Sequence, residues 1–139
     1  MVEDNQQYAY FTITDGFDPA EITAGVGIQP TEGWRRGDIC ARRQMERKFS
    51  RWSLYSRLGR DQKLEAHIRD VLAQLDTNPE AFRAASLEFN GCMQLVGYFH
   101  RDYPGLHFAR DITEGLARHG LAVDFDFYHL YSHRREDTD

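Results

Sequence analysis

Tyr8-Ala9-Tyr10-Phe11-Thr12-Ile13-Thr14-Asp15-Gly16-Phe17-Asp18-Pro19-Ala20-Glu21 passes from strand through turn into helix within fourteen residues. Tyr8 to Thr14 is β-branched and aromatic, with side chains alternating between two faces, as a strand requires. Asp15-Gly16-Phe17 supplies the turn. Asp18 then caps a short helix, Pro19 takes the first helical position, where its missing N–H costs nothing, and Glu21 completes a capping box. Gly25 and Gly27 end that helix within two turns, and Ile28-Gln29-Pro30 leads out extended.

The same grammar returns near the other end. Ala109-Arg110-Asp111-Ile112-Thr113 precedes Gly120-Leu121 much as Pro19-Ala20-Glu21-Ile22-Thr23 precedes Gly27-Ile28, and each follows a strand and a short turn. Two such units predict an α+β fold: a mostly antiparallel sheet with helices packed on one face, ferredoxin-like or a duplicated split β-α-β. Between them, residues 38–56 read as a hairpin with arms from Ile39 to Met45 and from Phe49 to Tyr55, turning near Glu46-Arg47-Lys48. Alternation in its second arm sets Trp52 and Leu54 on one face, and Phe49, Arg51 and Tyr55 on the other.

From Asp61 onward, Leu64, Ile68, Val71, Leu72 and Leu75 recur at helical spacing and form one apolar stripe. Asn78-Pro79 restarts a second helix carrying Phe82 and Ala85 inward. Phe89 to His100 is apolar on both faces and belongs in the interior of a sheet. Arg101-Asp102-Tyr103-Pro104-Gly105 is a turn, with a short extra strand at Leu106–Phe108. Ile112 and Leu116 mark a last helix, and Leu121 to Tyr131 a last strand.

At 139 residues, with 41% apolar and 13% aromatic side chains, the chain fits a single α+β domain spanning 1–139, with frayed ends at 1–7 and 132–139. It has no run of about 18 apolar residues, which excludes a helical membrane span. Its first residues have neither the basic nor the apolar region of a secretory signal. Cys40 and Cys92 therefore read as reduced thiols, and the expected location is cytoplasmic.

Charge is unevenly placed. Residues 34–63 hold ten of the seventeen Lys and Arg against three acids and net +7, while the segments before and after each net −6. The same stretch contains both tryptophans, Trp34 and Trp52. Such polarity is either met within the molecule or offered to a partner.

With these elements placed, the chain resembles an uncharacterised bacterial family catalogued as domain of unknown function 4279. The resemblance rests on the opening strand into Asp18-Pro19-Ala20-Glu21-Ile22-Thr23, then Gly27-Ile28-Gln29-Pro30-Thr31 and Gly37-Asp38. It continues through Trp52-Ser53-Leu54-Tyr55-Ser56, the helix containing His67, and Leu121-Ala122-Val123-Asp124-Phe125-Asp126-Phe127-Tyr128. It implies a small stand-alone bacterial domain and supplies no activity, cofactor or catalytic residue. Small acidic proteins of this kind serve as immunity partners of secreted toxins, which is association rather than chemistry.

The candidate binding residues are Trp34, Arg35, Arg36, Arg43, Arg51 and Tyr55, with Asp124 and Asp126 as an opposing acidic patch. The expected partner is another protein, a toxin in the narrower version, or a second copy of the chain. Nucleic acid is disfavoured because the net charge is −5 and the pI near 5.6. The alternative class is a small enzyme or anionic-ligand binder using Asp124 and Asp126, two apart on a strand and so on one face, with arginines as a clamp. A deep pocket joining those groups would favour it, and a flat charged face would favour the partner. The histidines form no metal set, neither cysteine has a CxxC partner, and no phosphate loop or nucleophile elbow is present. The expectation is thus no catalytic residue, no metal and no cofactor.

Overall fold

The computed structural model describes residues 4–130; the expectations for Tyr131 and for the frayed ends at 1–3 and 132–139 lie outside them. In chain order the elements are β1 (Gln6–Asp15), α1 (Pro19–Val26), β2 (Glu32–Trp34), β3 (Ile39–Cys40), β4 (Met45–Glu46) and β5 (Ser50–Tyr55). Then follow α2 (Leu64–Leu75), α3 (Pro79–Phe89), β6 (Cys92–Phe99), α4 (Arg110–Arg118) and β7 (Ala122–His129).

The five-stranded sheet runs β2-β5-β1-β6-β7, and only the β6–β7 pair is parallel. The mixed α+β architecture expected from the sequence is the one found. In the first half, β1 and β2 flank β5, which makes β1-α1-β2 a split β-α-β unit. In the second half, β6 and β7 are direct neighbours joined through α4.

One sheet face is the core. Ala9, Phe11 and Ile13 of β1, Trp52 and Leu54 of β5, and Met93 and Leu95 of β6 are buried against helix side chains. The α2 stripe supplies Leu64, Ile68, Val71, Leu72 and Leu75, all buried, and α3 supplies Phe82. Each such side chain removed from water contributes about 1.5–3 kcal/mol. Phe11, Trp52 and Phe82 meet edge-on or tilted, with centroids 5.7–6.0 Å apart. The Trp52 indole N–H donates to Thr23 Oγ1 at 3.0 Å, so its polar handle is satisfied inside the core.

Local signals work as their chemistry dictates, with one change. Asp18 accepts from the Ala20 N–H and Gly27 closes α1 at φ +80°. Asn78 precedes α3 but gives it no side-chain cap. Its amide instead donates to the carbonyls of Gly25 and Val26, tying the end of α1 to the start of α3.

Several expectations are corrected. The two arms of the 38–56 segment do not pair with each other. Ile39–Cys40 pairs with Met45–Glu46 in a separate small hairpin, and β5 instead pairs with β1 and β2. The chain turns four residues earlier than expected, at Ala41–Gln44, where Gln44 takes a left-handed φ of 56°. Helix α2 starts at Leu64 rather than Asp61, and Phe89 ends α3 rather than opening β6. No strand forms at Leu106–Phe108, and β1 begins at Gln6, so Gln6 and Gln7 belong to the sheet rather than to a frayed end.

Candidate functional site

Among the described residues all four helices cover the core face of the sheet, and the opposite face carries none of them. Register fixes what that open face presents. One row across the strands reads Tyr55, Tyr10, Gln94, Asp124, and the next reads Tyr8, Val96, Asp126. Below them lie Gln6, Tyr98 and Tyr128. Above them come Glu32, Ser53, Thr12, Cys92 and Ala122, then Trp34 beside Arg51. The outward set is tyrosine, tryptophan, carboxylate and guanidinium because the strand period is two and the apolar residues occupy the other positions.

The tyrosines stack. Tyr10 and Tyr55 have ring centroids 4.4 Å apart, Tyr8 lies 5.9 Å from Tyr55, and Tyr98 and Tyr128 stack at 5.0 Å. Cations extend the platform: the Arg51 guanidinium is 5.3 Å from the Tyr10 ring, Arg60 is 4.4 Å from Tyr8, and Arg47 is 3.7 Å from Trp34. Partial burial, then the neighbouring Glu32 carboxylate and the Tyr10 phenol, push the Tyr55 hydroxyl up to about 12. Arg51 is held by Glu32 at 3.6 Å and donates to Ser53 Oγ, which in turn is 2.8 Å from Thr12 Oγ1. That is a cross-strand network rather than a free cation.

The expected site residues divide into three groups. Trp34, Arg51 and Tyr55 lie together on the open face at its β2–β5 side. Asp124 and Asp126 lie on the same face, exposed, but on the far edge strand β7. Three strand spacings separate β7 from β5, about 14 Å, so carboxylates and arginines do not share a cleft. Arg35, Arg36 and Arg43 leave the face altogether. Arg36 turns back to donate from Nε to the Lys48 carbonyl, and the Arg35 N–H is capped by Asp38. Arg43 sits in the turn of the β3–β4 hairpin.

The sequence reading missed Tyr8, Tyr10, Tyr98 and Tyr128 as one surface, and Arg47 as the cation seated on Trp34. The alternation of Tyr8 and Tyr10 was a signal for the first two. Nothing local announces that β5 would bring Tyr55 beside them.

Two buried histidines lie elsewhere. His67 Nδ1 is 2.7 Å from Ser56 Oγ, and His119 Nε2 is 2.7 Å from Asp76 Oδ1, while His67 Nε2 and His119 Nδ1 have no partner among the described residues. They lie at opposite ends of α2, so they do not assemble with one another. Desolvation lowers the His67 pKa, which keeps it neutral and suits a packing role. Among the described residues no three His, Cys, Asp or Glu side chains gather as a metal site. No helix there is long and apolar enough to cross a membrane.

Residues 5–130 match the family model described as Domain of unknown function (DUF4279). No curated protein and no solved structure matches the chain.

Proposed function

The chain belongs to this family of unknown function, and from its geometry rather than from the family we propose that it is a protein-binding module whose partner meets the open face of the sheet. One observation carries the reading: five tyrosines and Trp34 stand on a sheet face that none of the described helices covers, with arginines beside them. Tyr, Trp and Arg are the side chains that anchor protein interfaces: Tyr and Trp bury a large area at small cost in conformational freedom, and Arg offers a planar fork of hydrogen-bond donors. The face is bipolar, with Arg47 and Arg51 toward one side and Asp124 and Asp126 at the other, which favours a partner of complementary polarity and fixes its orientation.

The narrower version is a toxin-neutralising immunity protein. It requires that the partner arrest growth when expressed alone and be harmless when this chain is co-expressed.

The enzyme or anionic-ligand reading has less support. It needed Asp124, Asp126 and arginines in one pocket, and three strand spacings separate the carboxylates on β7 from Arg51 on β5.

The test is affinity capture from source-cell lysate with wild type and with Gln94→Lys, a bulky charge at the centre of the open face whose side chain points away from the core. A stoichiometric protein held by the wild type and lost by a folded Gln94→Lys supports the reading. Capture that ignores the substitution would remove the face from consideration.

A further inference from the structure

Beside the open face, the small β3–β4 hairpin stands off the sheet and leaves a groove of about 310 Å³ against Trp34 and Phe49. Its walls alternate two chemistries. Arg43, Arg47 and Lys48 supply positive charge, while Met45 and Phe49, 56% and 45% exposed, supply apolar surface.

The cations are uncompensated. Arg51, Arg57, Arg69, Arg101 and Arg118 each have a carboxylate within ion-pair distance. Among the described residues none lies that close to Arg43, Arg47 or Lys48, and Glu46 is the one acid in the lining. Other cations of the chain also lack a carboxylate that close; what sets these three apart is that they cluster beside the exposed Met45 and Phe49 in a chain of net charge −5. Arg47 is also preorganised, its guanidinium 3.7 Å from the Trp34 ring centroid and the indole N–H donating to the Phe49 carbonyl. Ordering a cation before binding reduces what its partner must supply.

We propose that this groove anchors an extended, acidic segment of the protein partner, with carboxylates on Arg43, Arg47 and Lys48 and an aromatic or aliphatic side chain between Met45 and Phe49. The inference rests on the protein-binding reading and names the partner's chemistry. Cation and hydrophobe alternate over a few residues, which suits a peptide carrying both, and the net charge of −5 disfavours a phosphate backbone. Methionine adapts its shape to unlike side chains, which suits a groove that grips an anchor loosely.

Cys40 lines the same groove and reports its occupancy. The backbone N–H groups of Arg43 and Arg42 and the charges of Arg47 and Arg43 lower its pKa, so it alkylates readily, whereas burial and Asp124 push the Cys92 thiol up.

The experiment is selection of a phage-displayed library of random twelve-residue peptides on the full chain. The strongest peptide is then synthesised and measured against wild type and Arg43→Glu/Arg47→Glu. The expected peptides carry Asp or Glu flanking Phe, Trp, Leu or Met. The synthetic peptide slows iodoacetamide alkylation of Cys40 and loses about tenfold or more in affinity to the double variant. Selected peptides without acids, affinity unchanged in the double variant, or unprotected Cys40 would each overturn the groove. Protection of Cys40 by a twelve-nucleotide oligothymidylate at equal or lower concentration would make it a nucleic-acid site and overturn the proposal too. Capture from lysate separates the levels. If Gln94→Lys loses the partner and the double variant keeps it, the groove fails while the open-face reading stands; if both keep it, the open face and the groove both fail as the binding surface.

Discussion

The guanidinium carbon of Arg47 sits 3.7 Å from the ring centroid of Trp34, across the boundary between the β3–β4 hairpin and the sheet. The other tryptophan, Trp52, has no exposure at all. The two indoles therefore report different events. Acrylamide should quench Trp34 and spare Trp52, and Arg47→Ala should raise the quenchable share without moving the thermal midpoint much, since an exposed cation–π contact contributes about 0.5–1 kcal/mol. Trp52→Ala should instead cost about 3–5 kcal/mol. Stern–Volmer plots and thermal melts of both variants check this.

Acid and base should destabilise the fold through different residues. Burial lowers the His67 pKa beneath the usual 6.5, so the unfolded chain binds that proton more readily than the native one. Stability is then lost as pH falls below about 6.5, and His67→Gln should flatten that part of the curve. At the other end, the Tyr55 hydroxyl is raised from 10 to about 12, so the native state keeps a proton the unfolded state gives up. Its stabilisation is present below pH 10 and lost as pH rises toward 12, and Tyr55→Phe should weaken that decline. Urea melts across the pH range measure both slopes.

Gly97 is on β6 because the Phe99 ring lies over it. A Cβ built there would collide with that ring. Phe99 is fully buried and also contacts Phe127 edge-on at 5.3 Å. Gly97→Val should therefore cost about 1–3 kcal/mol by forcing the ring aside. The double variant Gly97→Val/Phe99→Ala should lose less than the sum of the singles, which a double-mutant cycle reads directly.

Asp124 and Asp126 are exposed on the edge strand β7, and no arginine reaches them in an ion pair among the described residues. Changing both to Asn should shift stability by no more than about 0.5 kcal/mol. It should raise self-association. Two β7 edges paired antiparallel about Phe125 would set Asp124 opposite Asp126 twice, so the carboxylates oppose that pairing. Sedimentation velocity of wild type and the double Asn variant, at equal concentration and low salt, would show the difference. A purely monomeric variant would contradict it.

Much of the fold was legible because its cues were local. Asp18-Pro19 placed α1, the Leu64-to-Leu75 stripe placed α2, and alternation around Trp52 sent Arg51 and Tyr55 to the far side. Pairing was not legible, because alternation states which face a residue takes and not which strand it meets. Glu32-Gly33-Trp34 is too short to alternate, so β2 was not read as a strand, and β5 was given the wrong neighbour. The tyrosine platform depends on those pairings, Tyr10 meeting Tyr55 from 45 positions away. The basic stretch was visible as composition. Its division into a paired Arg51, a folded-back Arg36 and an unpaired Arg43 and Arg47 needed the hairpin's true register.

β1 holds the centre of the sheet yet finds its neighbours only at Tyr55 and at Tyr98, the partner of Gln6. During synthesis β1 is thus made well before either strand that pairs with it. Until β5 has left the ribosome, Ala9, Phe11 and Ile13 have no sheet to join, and one hydrogen-bonding edge of β1 stays open until β6 follows. The nascent chain carries an apolar strand with at least one bare edge until β6 is made, so folding waits on distant contacts.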